Sequence, residues 1–261
     1  MASAPQDNQL PLFYQDLMPL NTRDHKNFRN RQRDTAPFLA KQHMVPITSD
    51  EFIPASRYFP IIFSSGDNPL PLALMGMNEG VNTFVDDDGK LIDEFYVPAY
   101  IRRYPFMLAR LSPDTDELSL CFDPTSDVVG DFSEGEMLFN EDNSPTEHTQ
   151  SILNFCEQFE QAGQRTKAMI DELQKHGLLM EGEVAIERNT DPGKPYIYKG
   201  FRMVDRDKLR EIDGETLARW NKDGMLPLIY AHLSSLDLMR VIFGRQEQQG
   251  KVPAPAPAPN A

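Results

Sequence analysis

The chain has 261 residues, of which 40% are hydrophobic, with 21 prolines and only two cysteines. This length and apolar fraction suit a sizeable core in one large domain or two small ones, which excludes a disordered protein and a disulfide scaffold. The formal net charge of −14 repels phosphate backbones and anionic lipid headgroups, so we expect neutral, basic or hydrophobic partners and no nucleic acid.

The N-terminal residues 1–34 are predicted to form an arm. The segment from Met1 to Asp16 has neither the basic region nor the apolar region of a signal peptide, which predicts a cytoplasmic protein. The most apolar window, Leu70 to Met77, is far shorter than the roughly 20 residues of a membrane-spanning helix, so no membrane insertion is expected.

Charge is distributed unevenly along the chain. The stretch up to His43 is mildly basic, whereas no Lys or Arg occurs between Arg110 and Arg165, where the acidic residues from Asp114 to Glu160 carry most of the net charge. Two separately solvated faces are the favoured interpretation, because charge runs usually face solvent. An internal or intersubunit contact between the two regions is the alternative.

The region from Phe38 to Leu120 contains short hydrophobic runs broken by Pro and Gly, which favour strands over long helices. Asp86–Gly89 stands between two apolar runs and predicts the turn of a hairpin. The same acidic turn does not match a calcium loop, since an EF-hand alignment places Phe84 and Phe95 where carboxylates are needed.

A long helix is predicted after the capping box Ser144-Pro145-Thr146-Glu147, because apolar residues then recur at helical spacing. It should run to Lys175 or His176 and stop at Gly177. Two strand-like runs flanking Asn189–Lys194 predict a second hairpin.

The C-terminal part, Asp213 to Arg245, predicts a short helix through Trp220, a break at Gly224 and a second helix from about Pro227. The fold class is therefore α+β, with a sheet-rich N-terminal half, a long helix, a second hairpin and a C-terminal helical pair. Residues 35–246 are predicted to form a single domain, and the Pro-Ala-rich residues 247–261 a disordered tail.

The most distinctive candidate site is a ligand-binding cluster of aromatic and basic residues: Tyr96, Tyr100, Arg102, Arg103 and Tyr104. Two adjacent guanidiniums flanked by tyrosines can clamp a carboxylate or phosphate, because the guanidinium fork binds planar anions and stacks on rings. The favoured alternative is that one Arg pairs with an acid inside the fold while the tyrosines pack.

No catalytic residue, metal ligand or cofactor is predicted. His232 and Ser235 share a helix face, but Asp237 points to a different face, and the chain has no nucleophile elbow. The histidines lie far apart in the sequence, and no glycine-rich nucleotide loop is present.

Five segments together resemble the SapC family of bacterial proteins. They are PLFYQDLMPLN followed by His25, VPITSDEF ending at Phe52, FPIIFS, YVPAYIRRYPF and GMLPLIYAHLSSL, and the resemblance spans Leu10 to Val241. The family takes its name from a surface-layer protein cluster, and its relatives are often encoded near outer-membrane receptors and halogenase-like or cupin-like proteins. The resemblance brings no established set of catalytic residues.

The resulting expectation is a non-enzymatic accessory or adaptor protein of a Gram-negative bacterium, with a protein or peptide partner among cell-surface systems. The competing hypothesis is an enzyme, or a binder of small molecules or peptide carboxylates, that uses the Tyr and Arg cluster. The sequence leaves the oligomeric state open.

Overall fold

A computed structural model of the chain describes residues 10–112, 116–187 and 195–251, and it has the mixed α+β fold that the sequence predicts. The strands are β1 (Met18–Pro19), β2 (Arg29–Asn30), β3 (Met44–Pro46), β4 (Ile61–Ser64), β5 (Pro71–Leu74), β6 (Phe106–Arg110), β7 (Leu118–Phe122), β8 (Val129–Gly130), β9 (Glu136–Met137), β10 (Leu179–Ile186) and β11 (Tyr196–Val204). The α-helices are α1 (Thr22–His25), α2 (Phe52–Ala55), α3 (Ala99–Arg103), α4 (Glu147–Lys175), α5 (Arg206–Arg210), α6 (Gly214–Lys222), α7 (Met225–Ser235) and α8 (Met239–Gln248).

These elements form two compact units. Among the described residues, the first unit combines 10–34 with 97–112 and 116–168, and the second combines 35–96 with 169–187 and 195–251. Helix α4 begins in the first unit and ends in the second. The predicted arm over residues 1–34 and single domain over residues 35–246 remain predictions.

The first unit contains two three-stranded antiparallel sheets, with strand orders β1-β7-β6 and β8-β2-β9. Their apolar side chains meet one face of α4 in a buried core: Phe106, Leu108, Phe122, Val129, Leu138, Phe139 and Cys156. The short strands β1 and β2 incorporate the N-terminal segment into both sheets through backbone hydrogen bonds.

The second unit is built on a five-stranded antiparallel sheet of order β10-β11-β4-β5-β3. Helix α7 packs against β4 and β11. Phe59, Phe84 and Phe95 form an aromatic cluster with ring centroids 4.7 to 5.7 Å apart. Phe59 and Phe84 are buried, as are Trp220 and Phe52, and burial of these large aromatic groups stabilises the unit.

The long helix α4 ends where the sequence predicts, at Lys175, followed by Gly177 with φ +62°. Its start differs from the prediction by two residues. The Thr146 hydroxyl accepts a hydrogen bond from the Thr149 amide at 3.2 Å, which makes Thr146 the N-cap. Ser144 instead donates its hydroxyl to Asp142, because these residues form a tight turn before the helix.

The two predicted hairpins have different outcomes. β10 and β11 pair over their whole length, with a register irregularity between Gly182 and Glu183, and their predicted turn, 189–194, lies outside the described residues. Around the Asp86–Gly89 turn the pairing is reduced to one bridge, between Val85 and Leu91. Gly89 has φ +78°, and a Cβ there would lie 2.2 Å from a backbone nitrogen of another segment.

The C-terminal helices are present as predicted, with a break at Gly224, which has φ +78°. Helix α7 begins at Met225, and after a 3₁₀ turn at Leu236–Leu238 the chain continues as α8. Helix α8 extends to Gln248, slightly beyond the predicted start of the tail, and residues 252–261 lie outside the described part of the chain.

Candidate functional site

The adjacent arginines of the predicted cluster differ in burial, although both guanidiniums lie over rings of α4, Arg102 over Phe155 and Arg103 over Phe159. They are consecutive residues of helix α3, and consecutive side chains on an α-helix project about 100° apart. Arg103 is therefore buried, with 6% of its surface exposed, whereas Arg102 is exposed and donates from Nε to the Val97 carbonyl at 3.0 Å. Only Arg102 is therefore at the surface, while Arg103 lies in the interior of the unit.

Arg103 is held inside the first unit by an acid and three aromatic rings. Its Nη1 lies 3.6 Å from Glu160 Oε1. Its guanidinium carbon lies 4.3 Å from the Phe159 ring, 4.7 Å from the Tyr100 ring and 5.9 Å from the Tyr14 ring. Burial raises the pKa of the Glu160 carboxyl, and Arg103 opposes that shift. This arrangement agrees with the favoured sequence interpretation, an internal ion pair with packed tyrosines.

The three tyrosines of the predicted cluster donate their hydroxyls to groups within the protein. Tyr100 donates to the Leu12 carbonyl at 3.2 Å and Tyr104 to Asp123 Oδ2 at 3.4 Å. Burial, reinforced by Asp123, raises the pKa of Tyr104 to about 12. Tyr96 belongs to the second unit, where it donates to Glu51 Oε1 at 3.0 Å.

Asp123 is a fully buried carboxylate that sequence reasoning missed. It accepts hydrogen bonds from the Gln15 amide at 2.8 Å and from the amide and hydroxyl of Thr125 at 2.8 and 2.7 Å. Several N–H and O–H donors can stabilise a buried carboxylate without a counter-ion. Asp123 therefore fixes the loop after β7 against the N-terminal segment.

Both cysteines are buried thiols. Burial raises the pKa of Cys121 to about 11 and that of Cys156 to about 12, where Arg103 opposes the effect. Because the thiolate is the nucleophilic form, both side chains stay protonated and unreactive near neutral pH.

His232 and Ser235 act together as a structural support for the central strands. His232 Nδ1 lies 2.8 Å from the Ile61 carbonyl, and its Nε2 accepts from the Val204 amide at 3.0 Å. Ser235 Oγ accepts from the Ile61 amide at 2.8 Å. The imidazole thus bridges β4 and β11 just beyond their last paired residues, and burial lowers its pKa to about 4.

Basic and acidic segments of the first unit meet, contrary to the favoured expectation of separate solvated faces. Arg33 Nη2 lies 2.6 Å from Asp127 Oδ2, and Arg31 Nη1 lies 3.7 Å from Glu134 Oε1. The strand pairing of β2 with β8 and β9 brings the two regions together. The groove between them, of about 490 Å³, is lined by charges of both signs.

A second groove, of about 430 Å³, lies among helices α5, α6 and α7 of the second unit. It is lined by Arg206, Leu209, Arg210, Leu217, Tyr230, Leu233 and Ser234. Its two charged residues are both arginines, and Tyr230 is 55% exposed at its edge. The feature of the sequence that indicates this groove is the i, i+4 spacing of Arg206 and Arg210, which places both on one face of α5. We call it the Arg206 groove.

One stretch has the length and composition of a membrane-spanning helix, the 24 residues Met225–Gln248. In the structure this stretch is interrupted by the 3₁₀ turn and supplies buried core residues, including Ile229 and Ile242. A core helix of a folded domain passes the same test, so the stretch is weak evidence for a membrane span. Among the described residues, no three His, Cys, Asp or Glu side chains converge as a metal site would require.

The fold and these contacts define a mixed α+β protein of two compact units, the second of which carries the Arg206 groove. The model of the SapC family matches residues 20–242, and the chain belongs to that family. No curated protein and no solved structure matches the chain.

Proposed function

We propose that this SapC-family chain is an accessory or adaptor protein that binds a protein partner through the Arg206 groove. In this proposal the protein works in the cytoplasm of a Gram-negative bacterium and acts on proteins of the cell surface or outer membrane. The observation that carries the proposal is the composition of the groove, which combines leucines, an exposed tyrosine and two arginines. Aromatic and Arg side chains around an apolar centre are typical of protein-binding hot spots.

The competing hypothesis, a ligand pocket at the Tyr and Arg cluster, has weaker support. Arg103 is buried against Glu160, and Tyr100 and Tyr104 use their hydroxyls for internal hydrogen bonds. A ligand there would have to displace these contacts. At the Arg206 groove Tyr230 is already exposed, and the one ion pair to be displaced, Arg210 with Asp207, is largely solvent-exposed.

The test is site-specific photo-crosslinking in the native cell, with the crosslinking amino acid at position 230. We expect a discrete crosslinked protein that disappears when Arg206 and Arg210 are both changed to Glu. The matched control places the crosslinker at position 58, since Tyr58 is also an exposed tyrosine of the second unit, with 40% exposure. Equal crosslinking patterns at positions 230 and 58 would contradict the proposal.

A further inference from the structure

We infer that the Arg206 groove binds the C-terminal end of a partner polypeptide, namely an apolar last residue with its free carboxylate. The inference rests on the proposed function and names the part of the partner that is recognised. It follows from the charge of the groove, from the position of its apolar surface and from the hydrogen bonds and exposure of its two arginines.

The charge of the groove favours an anionic ligand. Arg206 and Arg210 are the charged residues that line it, although the whole chain carries a net charge of −14. Arginines that line a groove attract anionic groups and discriminate against cationic ones. Guanidinium groups bind carboxylates in a planar, two-bond geometry, so a carboxylate is the matching ligand group.

The apolar surface lies immediately beside the arginines. Leu209 is three residues after Arg206 and directly before Arg210, while Leu217 and Leu233 complete the apolar lining from α6 and α7. In a C-terminal residue the carboxylate and the side chain are attached to the same Cα, so anion and apolar group are adjacent. An internal Asp or Glu needs a second residue to provide the apolar part. Capture of a C-terminal carboxylate is a recurrent mode of peptide recognition.

Both arginines are positioned to accept such a ligand. Arg206 donates from Nη2 to the Leu233 carbonyl at 3.0 Å. This bond holds the guanidinium at the groove and leaves its other N–H groups to bind a ligand. Arg210 donates to Asp207 at 2.9 Å, but both partners of this pair are largely solvent-exposed. A ligand carboxylate can replace Asp207 at little cost, because exposed ion pairs are weak.

The experiment measures binding of short fluorescent peptides to the purified full chain by anisotropy. One set ends in Leu, Val or Phe with a free carboxylate, a second set has the same sequences with amidated ends, and a third has an internal Glu and an amidated end. We expect the free acids to bind at least about tenfold more tightly than both other sets, since a charge-assisted hydrogen bond pair is lost in the amides.

The variant Arg210→Gln provides the matched test, because this side chain is exposed and its loss leaves the core intact. It should weaken binding of the free acids about tenfold, whereas Arg57→Gln, a change at another exposed arginine of the second unit, should leave binding unchanged. Thermal unfolding of both variants verifies that they are folded.

Three results would overturn the inference. They are equal binding of free acids and amides, equal binding of the internal-Glu peptides, and full displacement of the peptides by a straight-chain fatty acid, which would assign the groove to a small amphipathic anion. Absence of peptide binding together with a specific crosslink at position 230 would overturn the C-terminal recognition alone. Absence of both would overturn the proposed function as well.

Discussion

At the scale of single residues, three buried polar or charged side chains stabilise the fold. Arg103, Asp123 and His232 are buried, and each is enclosed by groups of its own unit. The segments that carry the family resemblance owe much of their composition to such contacts. Tyr14 of PLFYQDLMPLN donates to the Phe106 carbonyl of YVPAYIRRYPF at 2.7 Å, for example. These motifs therefore indicate a shared fold more directly than a shared reaction.

The buried ion pair gives a prediction for stability. Arg103→Met should lower the free energy of unfolding by about 3 kcal/mol, because it leaves the Glu160 carboxylate without its counter-charge in a largely buried position. Arg102→Met, at the exposed neighbouring position, should cost less than about 0.5 kcal/mol. Urea denaturation of the two variants measures the difference.

The double variant Arg103→Met/Glu160→Gln separates the ion pair from simple packing. It should recover a large part of the lost stability, since neither charge is then left unpaired. If the double variant is as unstable as Arg103→Met, the contacts of Arg103 with the aromatic rings dominate instead.

His232 predicts how stability changes with pH. Burial, together with the nearby Arg206 charge, lowers its pKa to about 4 in the folded protein, against about 6.5 when unfolded, while the bond to Ile61 opposes the shift. The unfolded chain therefore binds the extra proton first as pH falls. The stabilisation is fully present above pH 6.5 and is lost between about pH 6.5 and 4, by about 3 kcal/mol.

Urea denaturation across this pH range gives the measurement, with His232→Gln for comparison. Gln supplies a donor and an acceptor but does not titrate, so the variant should lack this part of the pH dependence. A variant with the same slope as the natural chain would assign the pH dependence to other groups.

At the scale of secondary-structure elements, the start of α4 illustrates how a cap is chosen. The sequence predicts a capping box that starts at Ser144, whereas in the structure Thr146 accepts the capping hydrogen bond. Ser144 is used by the preceding turn, where its amide and hydroxyl both bond to Asp142. Thr146 caps the helix and also donates its hydroxyl to the carbonyl of Met137, the last residue of β9, at 2.7 Å. This bond joins the start of the helix to the end of the strand.

Cap substitutions test this assignment. Thr146→Ala should lower the free energy of unfolding by about 1 to 2 kcal/mol, because it removes the cap acceptor and the bond to Met137. Ser144→Ala removes an exposed turn contact and should cost less than about 0.5 kcal/mol. Equal losses in thermal denaturation would mean that the helix begins at the earlier residue.

At the scale of the whole molecule, the net charge of −14 hides local neutralisation. Arg31 and Arg33 lie against Asp127 and Glu134 in the first unit, and the Arg31 guanidinium carbon also lies 3.8 Å from the centre of the Phe132 ring. The acidic segment is thus partly a partner for the chain's own arginines, which reduces its suitability as a docking surface.

Charge reversal measures this local pairing. Arg31→Glu/Arg33→Glu should destabilise the protein by about 1 to 2 kcal/mol at low salt and by less at high salt, because exposed pairs are screened. Lys41→Glu/Arg57→Glu changes the net charge by the same amount at exposed positions of the second unit and serves as the control. Equal effects of the two double variants would indicate general charge repulsion rather than specific pairs.

The sequence by itself determined the α+β class, the family, the end of α4 at Lys175 before Gly177 and the pairing of β10 with β11. These features depend on local signals, namely helical periodicity, turn residues and characteristic segments, which act within a few residues of each other. The tertiary structure decided that Arg103 is buried while Arg102 is exposed, that Tyr96 lies in the other unit, that His232 supports two strands and that the Arg206 groove forms. Each of these depends on which distant segments pack together, and burial and hydrogen bonding between such segments leave no periodic signal in the chain.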